Sequence, residues 1–118
     1  MKNTVFEKSD RNLIEETNPM GGTGLLHLDV LVEADNKPAK LESYTKAVLQ
    51  PGASVGYHKH QGESEYYFIL SGTGVYNDNG TEIPVKEGDV TFTPGGTGHG
   101  ITNNGDLPLE FMTLIISD

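Results

Sequence analysis

The sequence predicts an all-β protein, a sandwich or barrel of short strands. Three observations carry that reading. Fifteen glycines and six prolines divide the 118 residues at short intervals, a spacing that suits many short strands better than long helices. The runs between those breaks are rich in β-branched and aromatic residues. In "YNDNGTE", Asn79-Gly80 is a strong signal for a tight two-residue hairpin. A chain of this length supports one domain with a single core.

Taken in chain order, the first twenty residues read as a helix or a loose arm, because Glu15, Glu16 and Asn18-Pro19 make a poor strand. Residues 1–23 are therefore assigned as an N-terminal arm and 24–118 as the single β domain. "GLLHLDVLVE" (24–33) and "ESYTKAVL" (42–49) are the first strand candidates, followed by 53–60 and "EYYFIL" (65–70). "GTGVYND", "TEIPV", "DVTFTP", "HGITN" and "LEFMTLII" complete the series, and no repeat, linker or low-complexity segment interrupts it.

Composition removes several function classes. There is no cysteine, so neither a disulfide nor a thiolate metal site is available. A formal charge of −9, with Arg11 as the sole arginine, argues against nucleic acid, since neutralising phosphates needs clustered lysine and arginine. The N-terminus has no apolar signal core and no apolar run is long enough to span a bilayer, so a soluble cytoplasmic protein is expected.

The stretch that carries chemistry is "GYHKHQGESEYYFILSG" (56–72). If 53–60 is a strand, Ser54, Gly56, His58 and His60 share one face and Lys59 points the other way. Two imidazoles so placed sit roughly 6.5–7 Å apart at the backbone, and both ring nitrogens can then reach one metal at about 2.1 Å. A turn at 61–64 and a second strand bring Glu65 back beside them, with Tyr67 and Ile69 on its face and Tyr66, Phe68 and Leu70 on the other. Downstream, Pro94 and the glycines at 95, 96 and 98 deliver His99 to the start of another strand. Three neutral imidazoles and a carboxylate suit a divalent first-row metal: iron, manganese, nickel or zinc. An octahedral ion held by four such ligands keeps positions open, unlike a closed structural zinc site.

These residues resemble the two motifs of the cupin superfamily. The first motif is matched by Gly52, His58, His60, Glu65 and Gly72, the second by Gly88, Pro94, Gly96, His99 and Asn103, with no departure in either. The resemblance implies an antiparallel jelly-roll β-barrel of six to eight strands, the double-stranded β-helix, with one divalent metal ion inside an open end. Glu63 competes with Glu65 as a ligand, but motif spacing and strand parity both favour Glu65. Glu63, placed in the turn, is a candidate acid/base or a solvated side chain, the latter preferred. Tyr67 and Ile69 are candidate pocket residues, Asn103 a structural one, and His27 a core or interface histidine.

The resemblance offers dioxygenase, oxalate-decarboxylating, sugar-isomerising and lyase chemistry. Arginine scarcity weakens phosphosugar and oxalate substrates, which are usually gripped by bidentate arginine. Lys46 and Lys59 are the possible substitutes. The preferred expectation is a metal-dependent enzyme acting on a small organic molecule, with dioxygenase-type chemistry favoured. The alternatives are a non-catalytic small-ligand-binding metal cupin and an oxalate decarboxylase-like or sugar isomerase-like enzyme. The apolar stripe Tyr66, Phe68 and Leu70 must be covered by the N-terminal segment or another subunit, and a homodimer is expected.

Overall fold

In the computed structural model, which describes residues 5–118, all nine expected runs form strands and one further strand precedes them. The order is β1 (Asn12–Thr17), β2 (Leu25–Val30), β3 (Leu41–Leu49), β4 (Ser54–Lys59), β5 (Glu63–Ser71), β6 (Thr73–Asp78), β7 (Thr81–Lys86), β8 (Val90–Thr93), β9 (Gly98–Thr102) and β10 (Leu109–Ser117). Every pairing is antiparallel. Six strands form one sheet in the order β1-β2-β3-β10-β5-β8, and four form a second in the order β4-β9-β6-β7. Ten strands in two sheets exceed the six to eight expected, because β1 and β2 extend the larger sheet at one edge.

Alternation explains how the sheets meet. Leu49, Ile69, Leu109 and Phe111 of the larger sheet pack with Val55, Tyr76, Val85 and Ile101 of the smaller in one buried cluster. Each such large side chain contributes about 1.5–3 kcal/mol on burial. Asn79-Gly80 closes the β6–β7 hairpin with φ of 50° and 102°, the mirror-image turn whose twist matches the strands. At Gly72, φ is 90° and a Cβ would stand 2.6 Å from the Pro108 carbonyl oxygen, so only glycine fits this motif position. Asn103 is fully buried, and its side-chain amide donates to the carbonyls of Leu49 (2.9 Å) and Leu107 (2.8 Å) while its oxygen accepts from the Gly105 amide (3.0 Å). It thereby ties the end of β3 to the loop that leads into β10.

Two local features differ from the sequence expectation, and both shape the site. Residues 12–17, expected as helix or loose arm, form β1, paired in full register with β2. All six side chains are exposed, so backbone pairing and the Arg11–Asp29 ion pair hold it rather than a buried face. The second difference lies in β4. Val55 pairs with Ile101 and His58 with His99, so three steps on β4 match two on β9, and an extra residue bulges out at Gly56–Tyr57. The bulge resets parity: Val55 and His58 both face inward, while Ser54 lies outside, bonded to Thr23 at 3.0 Å. Gly56 makes room for the 3-10 turn Pro19–Gly21, since a Cβ there would lie 2.2 Å from the Met20 carbonyl oxygen.

Candidate metal centre

Four side chains from three strands and one loop converge between the sheets. His58 comes from β4, His60 from the loop after it, Glu65 from β5 and His99 from β9. One ligand atom from each lies within 4.8 Å of all the others. Glu65 Oε1 stands 2.9 Å from both His60 Nε2 and His99 Nε2, and the Nε2 atoms of His58 and His99 are 3.2 Å apart. Glu65 and His99 are buried, at 5% and 0% exposure.

Each imidazole is turned to this arrangement by a partner behind it. His58 Nδ1 donates to the Gly56 carbonyl at 2.8 Å, and His60 Nδ1 to the Glu63 carboxylate at 2.8 Å. His99 Nδ1 lies 2.9 Å from both the Tyr76 hydroxyl and Thr93 Oγ1, which also bond each other. A proton held at Nδ1 leaves the Nε2 lone pair facing the centre, the tautomer a metal needs. Burial, reinforced by His99 and His60, holds the His58 pKa below the ordinary histidine value against the pull of the Gly56 carbonyl, so the neutral ligating form is favoured.

The fit to a metal is tested by what the protein leaves unsatisfied. His60 Nε2 and Glu65 Oε1 are buried polar atoms that, although 2.9 Å apart, form no hydrogen bond of ordinary geometry. A carboxylate and three ring nitrogens converging in a buried space are costly unless a cation lies among them. The donor set therefore fits a divalent ion, which His58, His60, Glu65 and His99 could hold.

The cupin domain family matches residues 45–116, which contain all four of these ligand positions. The chain is a cupin. A relative from Thermotoga maritima, named oxalate-binding protein, is 44% identical over 100 residues, covering 85% of this cupin and 83% of the relative. The crystal structure of a predicted oxalate decarboxylase, also from Thermotoga maritima, superposes with a TM-score of 0.91 at 40% identity, over 98% of this chain and 100% of that one. KdgF from Halomonas sp. shares the fold alone, with a TM-score of 0.78 at 13% identity over 99% of this chain and 96% of that one.

Beside the ligands, the cupin has an open cavity of about 180 Å³. Tyr67 and Phe111 form part of its wall, and Glu16, Pro19 and Met20 line it from the N-terminal segment. Neither Glu16 nor Met20 was identifiable from sequence, because nothing local reveals that residues 12–21 fold back against the site. Tyr67 stacks on His99 with ring centroids 4.9 Å apart, and burial, then the Glu65 charge, holds its pKa well above that of an ordinary phenol. Ile69 lies in the core at 0% exposure and not on the cavity wall, a correction to its candidacy as a pocket residue.

Glu63 also departs from expectation. β5 begins at Glu63, so this residue belongs to the strand and shares parity with Glu65 instead of sitting in the turn. Its carboxylate is engaged with His60 Nδ1 rather than solvated. Tyr76 and Thr93, which hold His99, went unrecognised in the sequence; inward parity beside His99 was the only signal for them. His27 lies on the outer face, 3.7 Å from Glu15, neither in the core nor near the ligands.

Among the described residues, the cavity wall carries no lysine or arginine. Arg11 is spent on a bidentate bond to Asp29, at 2.8 and 2.9 Å. Lys46 pairs with Glu110 at 3.0 Å and Lys59 is exposed, so neither substitutes for arginine at the site.

Proposed function

We propose that this cupin holds one divalent metal ion through His58, His60, Glu65 and His99 and uses it to bind a small chelating carboxylate of the oxalate type. The carrying observation is the pair of unsatisfied buried atoms, His60 Nε2 and Glu65 Oε1, in a cluster whose three Nδ1 atoms are all engaged from behind. The name of the Thermotoga maritima relative supports the choice of ligand class. So does the size of the cavity, which suits a molecule of a few heavy atoms. Arginine scarcity had set oxalate back, but a cation held by the protein supplies the positive charge that arginine supplies elsewhere.

A bound ion of this kind offers a Lewis-acid or redox centre with open positions. The chain's own residues hold it, fix the ring tautomers and exclude water with the apolar wall. They provide few groups for proton transfer. Glu63 is engaged with His60, and Tyr67 is held protonated, which leaves Glu16 at the cavity as the remaining carboxylate outside the ligand set. Ligand binding therefore stands ahead of catalysis, and dioxygenase-type turnover is an outcome for the assay to detect.

The test begins with elemental analysis of untagged protein beside a His58→Ala/His99→Ala double variant, followed by calorimetric titration with oxalate. The expected result is close to one divalent ion per chain, lost in the variant, with oxalate binding only to the loaded protein. Protein that takes up no iron, manganese, nickel or zinc on reconstitution overturns the reading. Loaded protein that consumes oxygen with a phenolic or diketone substrate and ignores oxalate replaces it with the dioxygenase.

The protein is further proposed to act as a homodimer. Tyr44, Tyr66, Phe68, Val90 and Phe92 are each at least 41% exposed on the outer face of the larger sheet. Cross-strand register makes them neighbours: Tyr44, Leu114, Tyr66 and Phe92 form one row, with Met112, Phe68 and Val90 beside it. β1 lies at the opposite edge of this sheet, so the N-terminal strand does not cover them. An exposed apolar face of this kind fits a second copy of the chain.

A further inference from the structure

We infer that the cavity wall formed by Tyr67, Thr113, Thr45 and Ser43 reads the metal-distal oxygens of the ligand and restricts it to a short dicarboxylate. This rests on the metal-held carboxylate proposed above and specifies how that ligand is selected.

Cross-strand register sets the wall in two adjacent rows. Ser43, Ile115 and Glu65 stand side by side on β3, β10 and β5, and Thr45, Thr113 and Tyr67 form the next row on the same strands. All six face inward and line the cavity. Ser43 is thus two strand spacings from the ligand Glu65, about 9–10 Å at the backbone. The metal position lies at the β5 end of these rows, where Tyr67 follows Glu65 on the same strand, and the hydroxyls of Ser43, Thr45 and Thr113 lie on β3 and β10 away from it.

Those hydroxyls have hydrogens to give. Tyr67 is 4% exposed and Thr113 9%, yet neither hydroxyl forms a hydrogen bond within the protein among the described residues. Ser43 Oγ and Thr45 Oγ1 lie 2.9 Å apart, and whichever donates to the other, one hydroxyl hydrogen of the pair is left over. Outside the metal ligands and Glu16, the rest of the wall is apolar, with Leu26, Leu28 and Phe111 prominent. Donors that face the cavity without a protein partner favour a ligand that supplies acceptors at their positions.

The complementary ligand follows from these two ends. Its chelating oxygens face the cation, and its remaining carboxylate oxygens present acceptors to the hydroxyls. A monocarboxylate leaves the donors unpaired, a mismatch that a polar site rejects strongly. A long dicarboxylate must push its second charge against leucine and phenylalanine side chains with no cation to meet it. Oxalate and acids one carbon longer satisfy both ends.

The experiment compares wild type, Tyr67→Phe and Thr113→Val, each loaded with metal and checked by elemental analysis. Affinities for oxalate and for fluoride are measured by calorimetry. Both substitutions preserve shape and remove one hydroxyl, and fluoride reaches the metal without reaching the wall. Expected is an approximately tenfold loss of oxalate affinity in each variant, about 1.4 kcal/mol, with metal content and fluoride binding unchanged. Oxalate affinity equal to wild type in both variants overturns the wall's role and leaves the metal-held ligand standing. Loss of fluoride binding in parallel with oxalate assigns the effect to the metal site and also overturns it. Loaded wild type that binds fluoride and not oxalate overturns the ligand class itself, and this inference with it.

Discussion

Glu63 illustrates how a single residue changes meaning between sequence and structure. As a turn residue it was a solvated carboxylate or a candidate base; as the first residue of β5 it orients His60. Its carboxylate holds the Nδ1 proton and so keeps Nε2 free for the metal. Removing such a partner weakens metal binding by about 10–100-fold in other proteins. The same range is expected for Glu63→Ala, measured by chelator competition with the fold monitored by circular dichroism. A metal affinity identical to wild type would return Glu63 to the role of solvated side chain or acid/base.

At the scale of elements, β1 and the bulge in β4 decide what surrounds the ligands. Gly56 lies where the chain passes beneath Met20, and a methyl group there would meet backbone rather than a flexible side chain. Gly56→Ala is expected to destabilise the protein by about 1–3 kcal/mol, as overpacking does, read from urea unfolding. An unchanged midpoint would mean that the 19–21 turn moves aside freely. β1 is held partly by the Arg11–Asp29 pair, and the Arg11 hydrogen bond keeps Asp29 below the usual carboxylate pKa. A group whose folded pKa is depressed binds protons more readily when unfolded. The pair thus stabilises the fold above the ordinary carboxylate value of about 3.9, and the contribution fades as pH falls through the folded value. The stability gap between wild type and Asp29→Asn should be constant near neutral pH and shrink below about pH 4. A gap unaltered down to the lowest measurable pH would assign it to something other than Asp29 ionisation.

The whole molecule presents an aromatic outer sheet face on a chain of net charge −9. Repulsion between copies acts at long range and is screened within about 8 Å at physiological salt, whereas apolar contact acts on touching. Light scattering behind size exclusion is therefore expected to give twice the monomer mass in moderate salt. A Tyr66→Glu/Phe92→Glu double variant, placing carboxylates on adjacent positions whose rings lie 4.7 Å apart, is expected to be monomeric. A wild-type monomer across the accessible concentration range would remove the dimer.

The strands from β2 to β10 were legible in the sequence because glycine, proline and alternation are local signals of backbone geometry. The cluster His58, His60, Glu65 and His99, which could hold a metal ion, was legible because strand parity and the match to the two cupin motifs mark these positions. β1 was not legible, since six exposed side chains carry no burial pattern and only pairing with β2 makes them a strand. Nor was the bulge, which exists through a register shift against β9 and moves Val55, not Ser54, to the side of His58. Orientation of the rings by Glu63, Tyr76 and Thr93, and the hydroxyl rows opposite them, arise from contacts between strands distant in the chain. Sequence by itself determined which atoms could hold a metal, because ligand chemistry resides in the residue type. Tertiary structure alone decided what would face such a metal, because a cavity wall is set by the register of neighbouring strands and no single strand records it.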